Sequence, residues 1–144
     1  MPATALSYQK ASVSVSAAQR IVEAGIAKAT DLDVPVTIAV VDESGHLKAF
    51  ARMDGAGLIA TDVALNKAYT SAATGAPTSG VHQFISSDPG SLLSMPHLPR
   101  FTVVAGGIPI GVDGATVGAV GVSGGSPEVD DQIAEAAVEA PAGE

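Results

Sequence analysis

The sequence predicts a single α+β domain in which an antiparallel β-sheet is flanked by helices. Three observations carry that expectation. The 144 residues suit one hydrophobic core, with no internal repeat and no linker, so residues 1–144 form one domain. Apolar stripes at helical spacing occur near both ends and in the middle, with short β-branched runs between them. The elements read in the order α-β-β-α-α-β-β-β-α. Strands therefore come in groups, not one by one between helices, which favours an antiparallel sheet over a doubly wound one.

Residues 1–15 read as an irregular lead-in. Ser16 and Gln19 fit a capping box, and Ala18, Ile21, Val22, Gly25 and Ala29 share a face, predicting a helix over 16–31. Val34-Pro35 ends it. Val36, Ile38 and Val40 then alternate with Thr37, Ala39 and Val41 as a strand. Asp42-Glu43-Ser44-Gly45 is a turn, and residues 46–53 return as the second strand of a hairpin. After a loop over 54–57, Thr61 is placed to cap a helix with a small-residue stripe at Ala64, Ala68 and Ala72. Gly75 and Pro77 stop that helix. A short helix follows over 78–84. Residues 86–100, with Pro89, Pro96 and Pro99, read as a long loop of a kind that is often functional. Residues 101–105, 108–112 and 115–122 read as three strands, the last two joined by Asp113-Gly114. Ser126-Pro127-Glu128 opens the final helix with a cap, an N1 proline and a first-turn acid. Val129, Ile133 and Ala137 give that helix its buried stripe.

Aromatic residues are only 3% and Trp is absent, so the elements must pack through small side chains. A small domain that is 47% hydrophobic has more apolar surface than it can bury alone, which predicts a homo-oligomer. The net charge is −8. No Lys or Arg follows Arg100, whereas Asp113, Glu128, Asp130, Asp131, Glu135, Glu139 and Glu144 do. Such a surface repels nucleic acid and anionic lipid, and neither is expected as a partner. The absence of Cys excludes disulfides, thiolate metal sites and thioether-linked haem. With no basic-then-apolar leader and no apolar run of membrane length, the expected location is the cytoplasm.

Gly121-Val122-Ser123-Gly124-Gly125 matches the G-x-S-x-G elbow of serine hydrolases. That chemistry needs a histidine after the serine, and His46, His82 and His97 all precede Ser123. The glycines read instead as a tight turn from strand to helix, or as a cradle of backbone amides for an anion. The histidines lack metal-ligand spacing, and no metal is expected. His46 opens a strand and belongs in solvent. His82 and His97 are candidates for haem ligation or proton transfer. Met95-Pro96-His97-Leu98-Pro99 holds His97 between two prolines, which restricts the backbone around it. Arg52, Asp54 and Lys67 form a second candidate group. Arg52 and Lys67 suit a carboxylate, with Asp54 orienting one of them; the same three residues suit a salt-bridge cluster tying hairpin to helix.

Four stretches fall in order across most of residues 35–137: PVTIAVVDESGHLKAFARMDGA, ALNKAYTSA, GGIPI and VGAVGVSGGSPEVDDQIAEAA. Together they resemble the successive signatures of the GlcG/HbpS-like family. The resemblance implies a profilin-like fold with a five-stranded antiparallel sheet flanked by helices, and assemblies from dimers to octamers. It also implies either haem binding or a place beside the catabolic enzymes for glycolate or diols. No histidine precedes His46, where the adenosyltransferase-linked members carry theirs.

Two functions stay open at this point. The first is a small-ligand binder that holds haem or another tetrapyrrole reversibly at a subunit surface. Its axial ligand would be His97 or His82, or a weaker group such as Tyr69, Thr70 or Met95. The second is a cofactor-free lyase or isomerase for a small carboxylate or oxygenated catabolite. There His97 or His82 moves a proton, and Arg52 and Lys67, with Asp54, hold the anion.

Overall fold

The computed structural model describes residues 4–140; residues 1–3 of the lead-in, and Glu144 of the acidic stretch, lie outside them. The elements are α1 (Val15–Asp31), β1 (Thr37–Asp42), β2 (Leu47–Arg52), α2 (Ile59–Thr74), α3 (Thr78–Ser86) and α4 (Pro89–Ser94). A 3-10 turn (Met95–His97), β3 (Gly107–Val112), β4 (Ala115–Ser123) and α5 (Pro127–Glu139) complete them. The strands form one antiparallel sheet in the order β2-β1-β4-β3.

Local chemistry explains most boundaries. Ser14, not Ser16, caps α1 by accepting from the Ala17 amide at 3.1 Å. The Ser16 hydroxyl instead accepts from Arg20 one turn on, at 2.7 Å. Asp42 organises the β1–β2 turn: its Oδ1 accepts from the amides of Ser44 and His46. α2 begins at Ile59 without a side-chain cap and ends where Gly75 takes φ of 70°, donating its amide to Ser71. Asp113 and Gly114 both have positive φ, which gives the β3–β4 hairpin the turn that matches strand twist. Ser126 caps α5 through the Val129 amide.

The sheet is sandwiched. Ile38, Val40, Val120 and Val122 face α1 and α5, where Ile21, Ile133, Ala134 and Ala137 meet them. Ala39, Val41 and Ala119 face Ala64, Ala68 and Ala72 of α2. On that second face the helix rests almost on the sheet backbone. A β-carbon at Gly121 would collide with the backbone of Ala64 and Ala68. This is why the chain is rich in small residues and poor in aromatics: close approach of α2 leaves no room for larger ones. Among the described residues no helix is long and apolar enough to cross a membrane.

Besides the caps expected at Ser16 and Thr61, two larger expectations are corrected. The sheet has four strands, not five, because residues 101–105 form no strand. Arg100 has φ of 64°, and two threonines then bind the segment that follows. Thr70 Oγ1 donates to the Arg100 carbonyl and accepts from the Thr102 amide. Thr78 Oγ1 donates to the Val104 carbonyl at 2.7 Å and accepts from the Gly107 amide at 3.1 Å. Backbone groups that would pair with a neighbouring strand are satisfied by hydroxyls instead. The five-stranded sheet implied by the resemblance fails for the same reason. The second correction concerns residues 86–100, which are not a plain loop. Asp88 caps α4 through the Ser91 amide and hydroxyl, with Pro89 at the first helical position, and the 3-10 turn follows directly.

Candidate functional site

α2 buries a charge. Lys67 is 1% exposed, and its ammonium donates to the Val122 carbonyl at 2.8 Å and to Asp130 Oδ2 at 3.1 Å. Asp130 Oδ1 accepts from the Gly125 amide at 2.8 Å. One ion pair thus joins α2, the end of β4, the glycine turn and α5. Burial pulls the Lys67 pKa below its ordinary value, against the charge and hydrogen bond of Asp130 and the charge of Asp131. Asp131, half-buried beside this pair, is shifted the other way: burial raises its carboxyl, opposed by the Gly106 amide and Lys67. The glycine-rich turn therefore does hold an anion with a backbone amide, and the anion is the chain's own Asp130.

Sequence reasoning missed Asp130, although a signal existed. Asp130 lies on the same buried stripe as Ile133, Ala134 and Ala137, and Lys67 lies on the stripe of Ala64 and Ala68. Opposite charges on two buried stripes point to a pair. Lys67 is thereby set apart from Arg52 and Asp54, which stand exposed at the end of the edge strand β2. Arg52 donates to the Ala56 carbonyl at 3.3 Å. Asp54 borders a hollow of about 320 Å³ with Thr30, Asp33 and Met53.

His82 and His97 lie in the arm formed by α3, α4 and the 3-10 turn, and both are exposed. They occupy different surroundings. His82 borders a hollow of about 300 Å³ with Ser79, Val104, Ala105 and Pro127, near the start of α5. His97 lies on the 3-10 turn among outward apolar side chains: Leu93 is 77% exposed, Leu98 54% and Leu92 51%. Phe84 of α3 is 61% exposed and borders a separate hollow of about 410 Å³ with Val81 and Met95. Between Lys67 and Arg100 the only formally charged residue is Asp88. Tyr69 and Thr70 of α2 meet the segment that follows the arm. The Arg100 guanidinium sits 3.8 Å above the Tyr69 ring, and Thr70 is buried with its hydroxyl bonded at both ends.

The order of signatures, the sandwiched sheet and this arm have a counterpart among known proteins. The family model for haem-degrading protein HbpS-like matches residues 13–139. The chain belongs to the HbpS-like family. This HbpS-like chain is 38% identical over 114 residues to protein GlcG of Escherichia coli (strain K12), covering 79% of this chain and 83% of GlcG. A double mutant of Streptomyces reticuli HbpS matches its structure with a TM-score of 0.85 at 31% identity, over 96% of this chain and 95% of the other. The structure of a PduOC:heme complex matches with a TM-score of 0.80 at 30% identity, over 90% and 94%.

Proposed function

We infer that this HbpS-like protein binds haem or another tetrapyrrole reversibly, on the outer surface of the arm, with His97 as the axial ligand. The observation that carries the reading is an exposed imidazole set among exposed Leu92, Leu93 and Leu98 on an arm almost free of charge. A tetrapyrrole is a wide apolar plate that needs an apolar platform and one donor atom. Pro96 and Pro99 limit the conformations lost on binding, and Arg100, next in the chain but one after Leu98, supplies a cation for an acidic substituent. The complex of a relative with haem supports the same ligand class. With no Cys the group would be held without a covalent tether. The chain's part is to bind and orient it; when bound, the iron would supply redox or ligand-binding chemistry.

The reading extends to a homo-oligomer, because an apolar arm with a single formal charge is where copies of a −8 chain can meet with little repulsion. Light scattering should give a mass several times 14.2 kDa. A monomer mass that persists at high concentration removes this part. Haem binding itself is tested by titrating haemin and following its absorbance. His97→Ala should weaken binding at least ~10-fold, about 1.4 kcal/mol, with little change in Tm. An unchanged haemin spectrum with the unmodified protein sinks the reading.

A second reading, a cofactor-free proton transfer on a small carboxylate, has one observation in its favour. His82 borders its own hollow near the start of α5, and on that helix burial pushes the Asp131 carboxyl toward the protonated form. Solvent-deuterium exchange into a pooled set of small acids, lost in His82→Ala, would support it.

A further inference from the structure

The last residues of the N-terminal lead-in form a strap across the domain. Lys10 Nζ pairs with Glu43 Oε1 at 3.4 Å and donates to Ser44 Oγ at 3.3 Å. Three residues on, the Val13 amide donates to the Val117 carbonyl at 2.9 Å, and the Val13 side chain is buried. The strap is thus fastened to the β1–β2 turn at one end and to β4 at the other. Alongside it lies a hollow of about 350 Å³, bounded by the strap, the start of α1, the β3–β4 hairpin and the end of α5. Val13, Ala17, Ile21, Ile110, Val117 and Val138 make most of its wall. The polar side chains on it are Ser12 and Ser14, and Ser14 already accepts from the Ala17 amide. Among the described residues no charged side chain lines it.

We propose that this hollow binds one small, uncharged, apolar molecule, about the size of one or two fused aromatic rings, with residues 10–14 as its cover. Lining decides the chemistry. An acid, amine or sugar would lose hydration there and find almost no partner, whereas an apolar molecule gains contacts along the apolar wall. Size decides the class. Ligand pockets run from roughly 300 to 1,000 Å³, and this hollow lies at the small end. Cavities of about 150 Å³ lined by Leu, Ile and Phe already take up benzene. A porphyrin does not fit, so this site is independent of the haem reading. The strap supplies the route in and out, because its outer end is held by polar contacts of Lys10 and Ser12 to the β1–β2 turn.

The test uses phenylnaphthylamine, a neutral fluorescent dye, and methyl NMR. The dye should bind saturably, one per chain, and move the methyl signals of Ile21, Ile110 and Val117. Ala17→Phe projects a ring into the hollow from the helix and should weaken binding at least ~10-fold while Tm stays level or rises. Leu93→Ser, on the arm, should leave the dye's affinity unchanged. Glu43→Ala should speed dye release several-fold by freeing the strap. Absence of saturable binding overturns the proposal, as does binding that survives Ala17→Phe or is lost in Leu93→Ser. Methyl signals that shift with protein dilution but not with dye would assign the hollow to a second copy of the chain, and also overturn it. Unchanged release in Glu43→Ala overturns the role of the strap.

Discussion

The joint at Lys67 and the arm around His97 invert the usual arrangement of charge and apolar surface. At the joint, full charges lie inside, between the sheet and two helices, and each finds a partner within the chain. On the arm, leucines and a phenylalanine point outward over a stretch with one formal charge. The contrast separates structural chemistry from functional chemistry. A buried ion pair whose bonds run between α2, the end of β4, the glycine turn and α5 pins those elements together. Exposed apolar side chains near an imidazole form the kind of patch that marks a contact with another molecule, the role proposed above for the arm.

The largest effect should come from breaking the joint. Lys67→Met leaves Asp130 buried without its counter-ion and should cost about 3–5 kcal/mol, read as a lower urea midpoint at constant slope. Adding Asp130→Leu removes the orphan charge and should recover much of that loss. If the single variant costs less than ~1 kcal/mol, water reaches Asp130 and the joint is not dry.

The arm should respond in the opposite way. Leu93→Ser should weaken haemin binding while changing stability by no more than about 0.5 kcal/mol, the usual range for an exposed side chain. Loss of stability with unchanged haemin affinity would assign the arm to the fold and not to a ligand.

Two pH effects of opposite sign are smaller. The Asp131 pKa is raised from 3.8, chiefly by burial, so the folded state holds an extra proton between 3.8 and the raised value. That carboxyl therefore weakens the fold as pH rises through this window, and the weakening persists above it. Asp131→Asn should raise Tm at neutral pH and flatten the pH dependence. Glu43 is the reverse case. The Ser12 hydroxyl, with the Glu43 backbone amide and Lys10, draws its carboxyl down from 4.5 to about 2. Its contribution is present above 4.5 and is lost as pH falls toward about 2. Protection of the Val13 amide against hydrogen exchange, relative to the unfolded chain at the same pH, should fall over that range before that of the core amides.

Much of the fold was legible in the residues. Helix-spaced stripes placed α1, α2 and α5; alternation and turn residues placed both hairpins; Gly75 and Ser126-Pro127 placed a helix end and a helix start. These signals are local, carried by neighbours within about one turn or one strand pair. The Asp88-Pro89 start of α4 was equally local, yet three prolines in the segment suggested loop first. Residues 101–105 show the limit. Phe101, Thr102, Val103 and Val104 have every preference for a strand, but Thr70 and Thr78 reach them from helices more than twenty residues away.

The site divides along the same line. The sequence by itself determined which side chains were available: three separated histidines, a proline-bracketed His97, no Cys, a surplus of apolar surface and few large side chains. Only the tertiary structure decided their use. It turned Lys67 inward to Asp130, left Arg52 and Asp54 at the sheet edge, and set His82 and His97 beside different surfaces. The physical reason is that pairing a charge or exposing an apolar side chain depends on what packs opposite. Lys67 and Asp130 are sixty-three positions apart in the chain; periodicity puts each on a buried stripe, but only the packing of β4 and α5 against α2 brings them to 3.1 Å.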